Sequence, residues 1–592
     1  MLAKLCCAVV GLLAVACVNS PIHAAAPNPQ AALNQLLEEV WFTELAEFPL
    51  FATNAGEHRY NDKLPDMSPA AYERRREQQK SFATKLAAIP VESLDTDDRI
   101  NYEFLSRMIA DNRAELDFGA HLMPITNRSG FHVEFPELAK DVPLETLADY
   151  ENYLARLAAF GKYVDDHIAL MRLGMQKQIV LPDVSVRDYA KIITPQLVDD
   201  PRASRLYTPF EKFSAKIPTG DHERLRAQAT TAIQQTVVPG FRKFHDFLRD
   251  EYLPACRSPI GAAALPQGRE FYRHRVRRFT TLDVTPEQVH ATGLAEVERI
   301  HAEMQTIINE LKFNGDFKAF VEHLRTDPKF YPTSAEQLMK EVGYVLKRMD
   351  GELPKLFGKL PRTPYGIRPI PDFIAPQTTT AYYSPPSGDG RRAGFYYVNT
   401  YNLKSRPLFE VEVLSIHEAV PGHHLQLALQ QELTNVPPLR RFSDCTAFIE
   451  GWGLYSERLG KEVGFYADPY SDFGRLSFSM WRACRLVVDT GMHYLGWSRQ
   501  QAIDYMAANT ALSMHNITAE VDRYIAWPGQ ALAYKMGELK ISGLRRDCEE
   551  RLGAKFDIRA FHDTVLEAGA VPLDVLERRV QGWLAQQVSA AN

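Results

Sequence analysis

The feature that most constrains this chain is a helical period that recurs along almost its whole length, opened repeatedly by capping chemistry. "LADYENYLARLAAFGKYVDDHIALMRLGM" is one long amphipathic run, and "PQAALNQLLEEVWFTELAEF" sets Leu33, Leu36, Leu37, Val40 and Trp41 on a single helical face. Thr285 precedes Pro286 and stands three residues before Gln288; Ser334 with Gln337 and Ser498 with Gln501 repeat the pattern. In such a capping box the hydroxyl accepts from the third helical N–H and the Gln side chain closes back on the cap's own N–H. Proline suits the first helical turn because the N–H it lacks has no partner there. A predominantly α protein is therefore expected. One segment breaks the period: "RRAGFYYVNTYNL", Arg391 to Leu403, is aromatic and β-branched. With "TTTAYYS" upstream and the turn-rich "PPSGDG" between, it reads as a β-hairpin. A chain of 592 residues is too long for one simple core. The Pro- and Gly-punctuated "CRSPIGAAALPQGRE" suggests a division into an N-terminal helical lobe, 30–275, and a second helical lobe, 276–592.

The first residues are of another kind. Lys4 precedes an apolar run from Leu5 to Val18, followed by small residues, which is the pattern of a secretory signal peptide, 1–24, cleaved after Ala24. The run is shorter than the roughly 20 residues that cross a bilayer. Cys17 in "AVAC" offers a rival: the stretch resembles a lipobox, although Ala14 stands where a larger aliphatic residue is usual. The expected location is periplasmic or secreted, with lipid attachment through Cys17 as the alternative, and no transmembrane segment remains after leader removal. A net charge of −6 argues against a nucleic-acid partner, which usually needs a basic face. Cys256, Cys445, Cys484 and Cys548 lack zinc-knuckle spacing. An oxidising compartment would permit one disulfide, and buried free thiols are the equal alternative.

The chemistry gathers in "SIHEAVPGHHLQ", Ser415 to Gln426. A zincin helix reads H-E-x-x-H, two histidines one turn apart with the Glu as general base. Here Pro421 occupies the fourth position after His417, and the candidate second ligands are His423 and His424. In an unbroken helix His424 would lie about 10.5 Å along the axis from His417, and His423 would face elsewhere. Two imidazoles on one zinc need their nitrogens within roughly 4 Å, given bonds of about 2.0–2.1 Å. The helix must therefore be disrupted, and Pro421 with Gly422 supplies the disruption. A bulge absorbing two residues selects His423; one absorbing three selects His424. "CTAFIEGWGLYSERLG" offers Glu450 and Glu457 on the following helix as a carboxylate ligand.

"HEAVPGHHLQ", "FIEGWGLYSE", "RLVVDTGMHYLGWS" and "RYIAWPGQALAYKMGELKI", in order across roughly residues 410 to 545, together resemble the bacterial family catalogued as domain of unknown function 885. That family is similar in turn to helical zinc peptidases of the thimet oligopeptidase and Taq carboxypeptidase type. The resemblance implies a large helical two-lobed zincin-like fold with a substrate channel and a small hairpin or sheet near the metal. It favours His423 over His424, because the residue after "PGH" varies in the family. It also pairs the ligand Glu450 with a second glutamate seven positions on, Glu457. Tyr534, in "PGQALAYKMG", matches a tyrosine that stabilises the transition state, and "GFYYVNT" matches a strand whose edge binds the substrate backbone.

The chain is thus expected to be an exported zinc metallopeptidase acting on short peptides. His417, His423 and Glu450 hold one Zn2+ per chain, cobalt or manganese being able to use the same ligands. Glu418 is the general base, Tyr534 the oxyanion donor, and Tyr397, Asn399 and Arg523 bind substrate. Arg523 or Lys535 is the candidate for a carboxylate terminus. Asp489 and His493, four apart on one helix, either orient a metal ligand or make an ordinary helical contact. Tyr396 lines the cleft or packs the hairpin, and Trp452 and Trp527 are expected in the core. Two other functions fit the same residues: a non-catalytic periplasmic peptide-binding protein, and a zinc hydrolase of a non-standard amide or ester.

Overall fold

The computed structural model describes residues 28–372 and 374–591, so the leader, with Cys17 and the cleavage site at Ala24, lies outside the described residues. Among the described residues the protein is predominantly helical with one three-stranded sheet. Thr285 and Ser498 make complete capping boxes. Ser334 makes half of one: it accepts from the Gln337 N–H, but the Gln337 side chain turns to the Thr333 N–H and hydroxyl instead. The first helix, Pro29–Glu47, buries Leu33, Leu36, Leu37, Val40 and Trp41, the face expected from its period. No described helix is long and apolar enough to cross a membrane. Cys256, Cys445, Cys484 and Cys548 are all free thiols.

The expected hairpin is present as β2 (Ala381–Ser384) and β3 (Gly394–Val398), antiparallel with Tyr382 opposite Tyr397. A strand the sequence did not announce, β1 (Tyr365–Pro369), pairs parallel with β3 on its other side, Ile367 opposite Tyr396. Its "YGIRP" carries a glycine and ends in proline, which suits only a sheet edge. The consequence is functional. β3 is the central strand and has no free edge, so the backbone-binding role expected of "GFYYVNT" cannot be filled by that strand. Of the two edge strands, β2 is the one whose Ala381, Tyr382 and Tyr383 share a pocket with His417 and His423.

Residue 275, where the sequence suggests a division, lies within the helix Gly268–Thr280, and the irregular segment precedes that helix. Tyr272 and Val276 of this helix share a buried cluster with Leu122, Leu170, Leu486 and Leu532. Residues of a second cluster run from Ile125 to Tyr252, and the largest gathers mainly residues beyond Val297.

The helices that carry the site are α1 (Val411–Glu418), α2 (His423–Glu432), α3 (Thr446–Glu462), α4 (Pro469–His493), α5 (Met514–Ala526) and α6 (Ala533–Leu552). α4 is buried throughout its second half, Met480 to His493. α3 and α6 touch backbone to backbone: a Cβ on Gly451 would sit 2.6 Å from Gly537 Cα, and one on Gly537 only 2.0 Å from Ala447 O. This contact sets Tyr534, on the first turn of α6, beside Glu450 on α3. Gly537→Ala is expected to destabilise the fold by about 1–3 kcal/mol through overpacking. Urea unfolding measures it, and an unchanged midpoint would mean the helices do not approach so closely.

Candidate metal centre

The disruption between the histidines is a full break, not a bulge within one helix. α1 ends at Glu418; Ala419 (φ −110°, ψ −100°), Val420, a cis Val420–Pro421 peptide and Gly422 (φ −77°, ψ −126°) form the link, and His423 is the first residue of α2. The link folds back over the last turn of α1, with Gly422 N–H donating to Ile416 O (3.0 Å) and His424 N–H to Ala419 O (2.9 Å). A Cβ on Gly422 would fall 1.9 Å from His417 O, so only glycine fits. Trp452, buried in the core as expected, donates from Nε1 to Pro421 O at 2.9 Å and ties the link to α3.

This path brings His417, His423 and Glu450 together, with one potential ligand atom of each inside a 4.8 Å sphere of mutual distances. Nε2 of His417 and of His423 lie 3.7 and 3.4 Å from Glu450 Oε2, and the rings stand nearly perpendicular with centroids 4.7 Å apart. Glu450 Oε2 is buried without a hydrogen-bond partner, which is costly unless something else satisfies it. A Cβ on Gly453 would meet both imidazoles, at 2.9 Å from His417 Cε1 and 3.1 Å from His423 Cε1, so this glycine keeps their shared space open.

Behind His417 stands Glu457, 2% exposed, with Oε1 2.8 Å from Nδ1. A carboxylate only accepts, so Nδ1 carries the proton and Nε2 turns towards the cluster. Arg482 anchors the same oxygen at 3.3 Å. Burial disfavours charge on His417, but the facing Glu450 carboxylate and the hydrogen-bonded Glu457 outweigh it and raise its pKa to about 9. Burial likewise opposes a charged Glu450, yet both histidines hold it well below the usual carboxylate range. For protein titrated with zinc at this cluster, Glu457→Gln is expected to lower the affinity by about 10–100-fold, as loss of a ligand-orienting partner typically does. Competition against a chromogenic chelator measures it, and unchanged affinity would remove Glu457 from the site.

Glu418, Tyr534 and Arg523 line one pocket of about 240 Å3 with the cluster and with residues Thr379 to Tyr383 leading into and along β2. Tyr534 is buried; burial and the nearby Glu450 charge raise its pKa, so the hydroxyl keeps its proton. Other expected residues fall elsewhere. His424 faces the sheet, its Nδ1 2.8 Å from Tyr383 Oη and its ring 4.8 Å from that of Tyr365. Asn399 is wholly buried and donates to Ala375 O, Thr378 O and Thr379 O, holding the approach to β2. Tyr397 stacks on Tyr382 at 4.8 Å, and Tyr396 is buried in the core. Neither Tyr397 nor Asn399 lines this pocket; Asn399 instead holds the segment that leads into β2. Lys535 is buried against Ser479 and Glu538. Asp489 and His493 do not pair: Asp489 accepts from Tyr272 Oη and Gly529 N, and His493 bridges Ala262 N and Tyr524 O. Trp527, expected in the core, is 47% exposed and lines a larger cavity of about 710 Å3 that Arg523 also faces.

Sequence reasoning missed Arg482, Arg485 and Glu520, which border the same pocket. The two arginines had one local signal, their place in the stretch "MWRACRLVV", which carries no other charged residue.

A family model described as "Bacterial protein of unknown function (DUF885)" matches residues 49–580. No curated protein matches. Among solved structures, a "putative lipoprotein" from Colwellia psychrerythraea is 29% identical over 95% of this chain and 100% of its own, with a TM-score of 0.88. A "putative lipoprotein of unknown function" from Shewanella oneidensis is 17% identical over 93% of this chain and 99% of its own, with a TM-score of 0.66, a likeness of fold.

Proposed function

The chain belongs to the bacterial DUF885 family, and from that premise we propose that it is an exported zinc-dependent metallopeptidase hydrolysing short peptides. The observation that carries the reading is the convergence of His417, His423 and Glu450 with an unpartnered carboxylate oxygen at their centre. Two imidazole nitrogens and one carboxylate oxygen are a donor set for catalytic zinc, which leaves a fourth position open. When bound there, zinc supplies Lewis-acid polarisation of the scissile carbonyl and a water of pKa near 7.

The rest is the work of this chain's own residues. Glu418 follows His417 directly and faces the pocket, where it takes the proton of the attacking water and passes it to the leaving amine. Tyr534 donates its hydroxyl to the oxyanion. The free edge of β2 pairs with the substrate backbone, in the manner of strand addition. The proposal carries with it a two-lobed zincin-like architecture with a substrate channel, for which the larger cavity, lined like the metal pocket by Arg523, would supply the space. Export is supported by the leader and by the lipoprotein description of the Colwellia relative, with release after Ala24 or lipid attachment at Cys17 as the two routes.

The test is metal content and cleavage together. Purified protein is expected to carry about one zinc per chain and to cut a library of short peptides until a chelator removes the metal. A metal-loaded protein that binds peptides but cuts none would establish the binding-protein alternative. Cleavage confined to esters or modified amides would establish the other.

A further inference from the structure

The wall of the metal pocket formed by α4 and α5 holds more guanidinium charge than its carboxylates neutralise. Arg485 and Arg523 each donate from Nη2 to Glu520 Oε2 at 3.0 Å, and Arg128 reaches Oε1 at 3.3 Å, so three arginines share one carboxylate. Glu520 is 1% exposed; burial alone would raise its pKa, but Arg523, Arg485 and Arg128 hold it far below the usual range. Arg482, the next guanidinium along α4, is matched by Glu457.

Arg485 is fixed from several sides. Its Nε donates to Tyr524 Oη at 2.8 Å, and its guanidinium lies over the rings of Trp481 (4.5 Å) and Tyr534 (4.2 Å). Its Nη1 nevertheless has no hydrogen-bond partner, although the side chain is only 4% exposed. A buried guanidinium N–H without an acceptor is a costly arrangement unless a ligand completes it. Arg485 and Arg523 line the same pocket as Glu418 and the three converging ligands. At about 240 Å3, that pocket is below the roughly 300–1,000 Å3 of sites that enclose a drug-sized ligand. It leaves room for only a short stretch of substrate between metal and arginines.

Resting on the peptidase reading, we propose that Arg485 and Arg523 bind the free α-carboxylate of the substrate, so that this chain cleaves peptides from their C-terminal ends. In the step itself the water oxygen bonds to the carbonyl carbon and the C–N bond breaks. One water proton travels through Glu418 to the departing amine. The products are a shortened peptide with a new carboxylate and a C-terminal amino acid or very short peptide, held by its original carboxylate at the arginines. Arg485 offers its unpartnered Nη1, and Arg523, whose Nη1 donates to Gln530 Oε1 at 2.9 Å, would exchange that neutral amide for the stronger, charge-assisted bond to a carboxylate.

One peptide sequence, made as the free acid and as the C-terminal amide, tests this. On zinc-loaded Glu418→Gln protein, calorimetry is expected to show the free acid binding at least about thirtyfold more tightly, the loss typical when a buried charge pair is deprived of one partner. Arg523→Gln, at the more exposed of the two arginines, is expected to shrink that preference. On zinc-loaded wild-type protein, mass spectrometry is expected to find the free acid shortened from its C-terminus and the amide nearly untouched. Equal binding and equal cleavage of the two forms, or cuts at interior bonds of both, would overturn the carboxylate assignment while leaving the peptidase intact. Failure to cleave either form would overturn the peptidase reading and this specificity with it.

Discussion

Zinc-loaded Glu418→Gln protein is expected to retain its metal and to cleave peptides about 10²–10⁴-fold more slowly than the parent, the usual worth of a positioned general base. The argument is one of elimination among the pocket's carboxylates. Glu450 supplies the oxygen that meets both histidines. Glu457 faces the far side of the His417 ring. Glu520 is committed to three arginines. Glu418 is the remaining carboxylate, lining the pocket as neither a converging ligand nor an arginine's partner. Glutamine keeps the shape of the side chain, which is 9% exposed, but cannot take a proton at neutral pH. Elemental analysis and initial rates on the same preparation separate the two effects. Loss of zinc together with activity would mean that Glu418 holds the metal; full activity with zinc retained would place the base elsewhere.

Much of this was legible locally, and the limits are physical. Helices could be read because caps such as Thr285 and Ser498 act within one turn, and their hydrogen bonds form as the residue types require. The β2–β3 hairpin could be read from its aromatic strands. β1 could not, since "YGIRP" has the composition of a loop and becomes a strand only by pairing with β3. That one pairing turned β3 from an edge into a centre and removed the free backbone edge expected of it. His417 and Glu450 followed from spacing and helix order. The choice between His423 and His424 depends on how Ala419 and Gly422 turn the chain, which spacing does not encode. Arg485 and Glu520 meet only because α4 and α5 pack together, a contact between distant segments with no trace in either.

His423→Ala and His424→Ala are expected to fail in opposite ways, although the two residues are adjacent. Removing His423 deletes one of three ligands, so zinc affinity should fall by more than the roughly 100-fold that marks the upper end for a mere orienting partner. Peptide cleavage should go with it. Removing His424 leaves the three converging atoms in place. It strips Tyr383 Oη of its partner and opens space beside Tyr365, at a cost to stability of about 1–3 kcal/mol, as for an unsatisfied buried polar group. Tyr383 stands on β2, so the damage falls on the strand that flanks the pocket and not on the metal. Zinc affinity by chelator competition and unfolding free energy in urea, measured on both variants, resolve the pair. If His424→Ala loses the zinc and His423→Ala keeps it, the cluster of His417, His423 and Glu450 is not the metal centre.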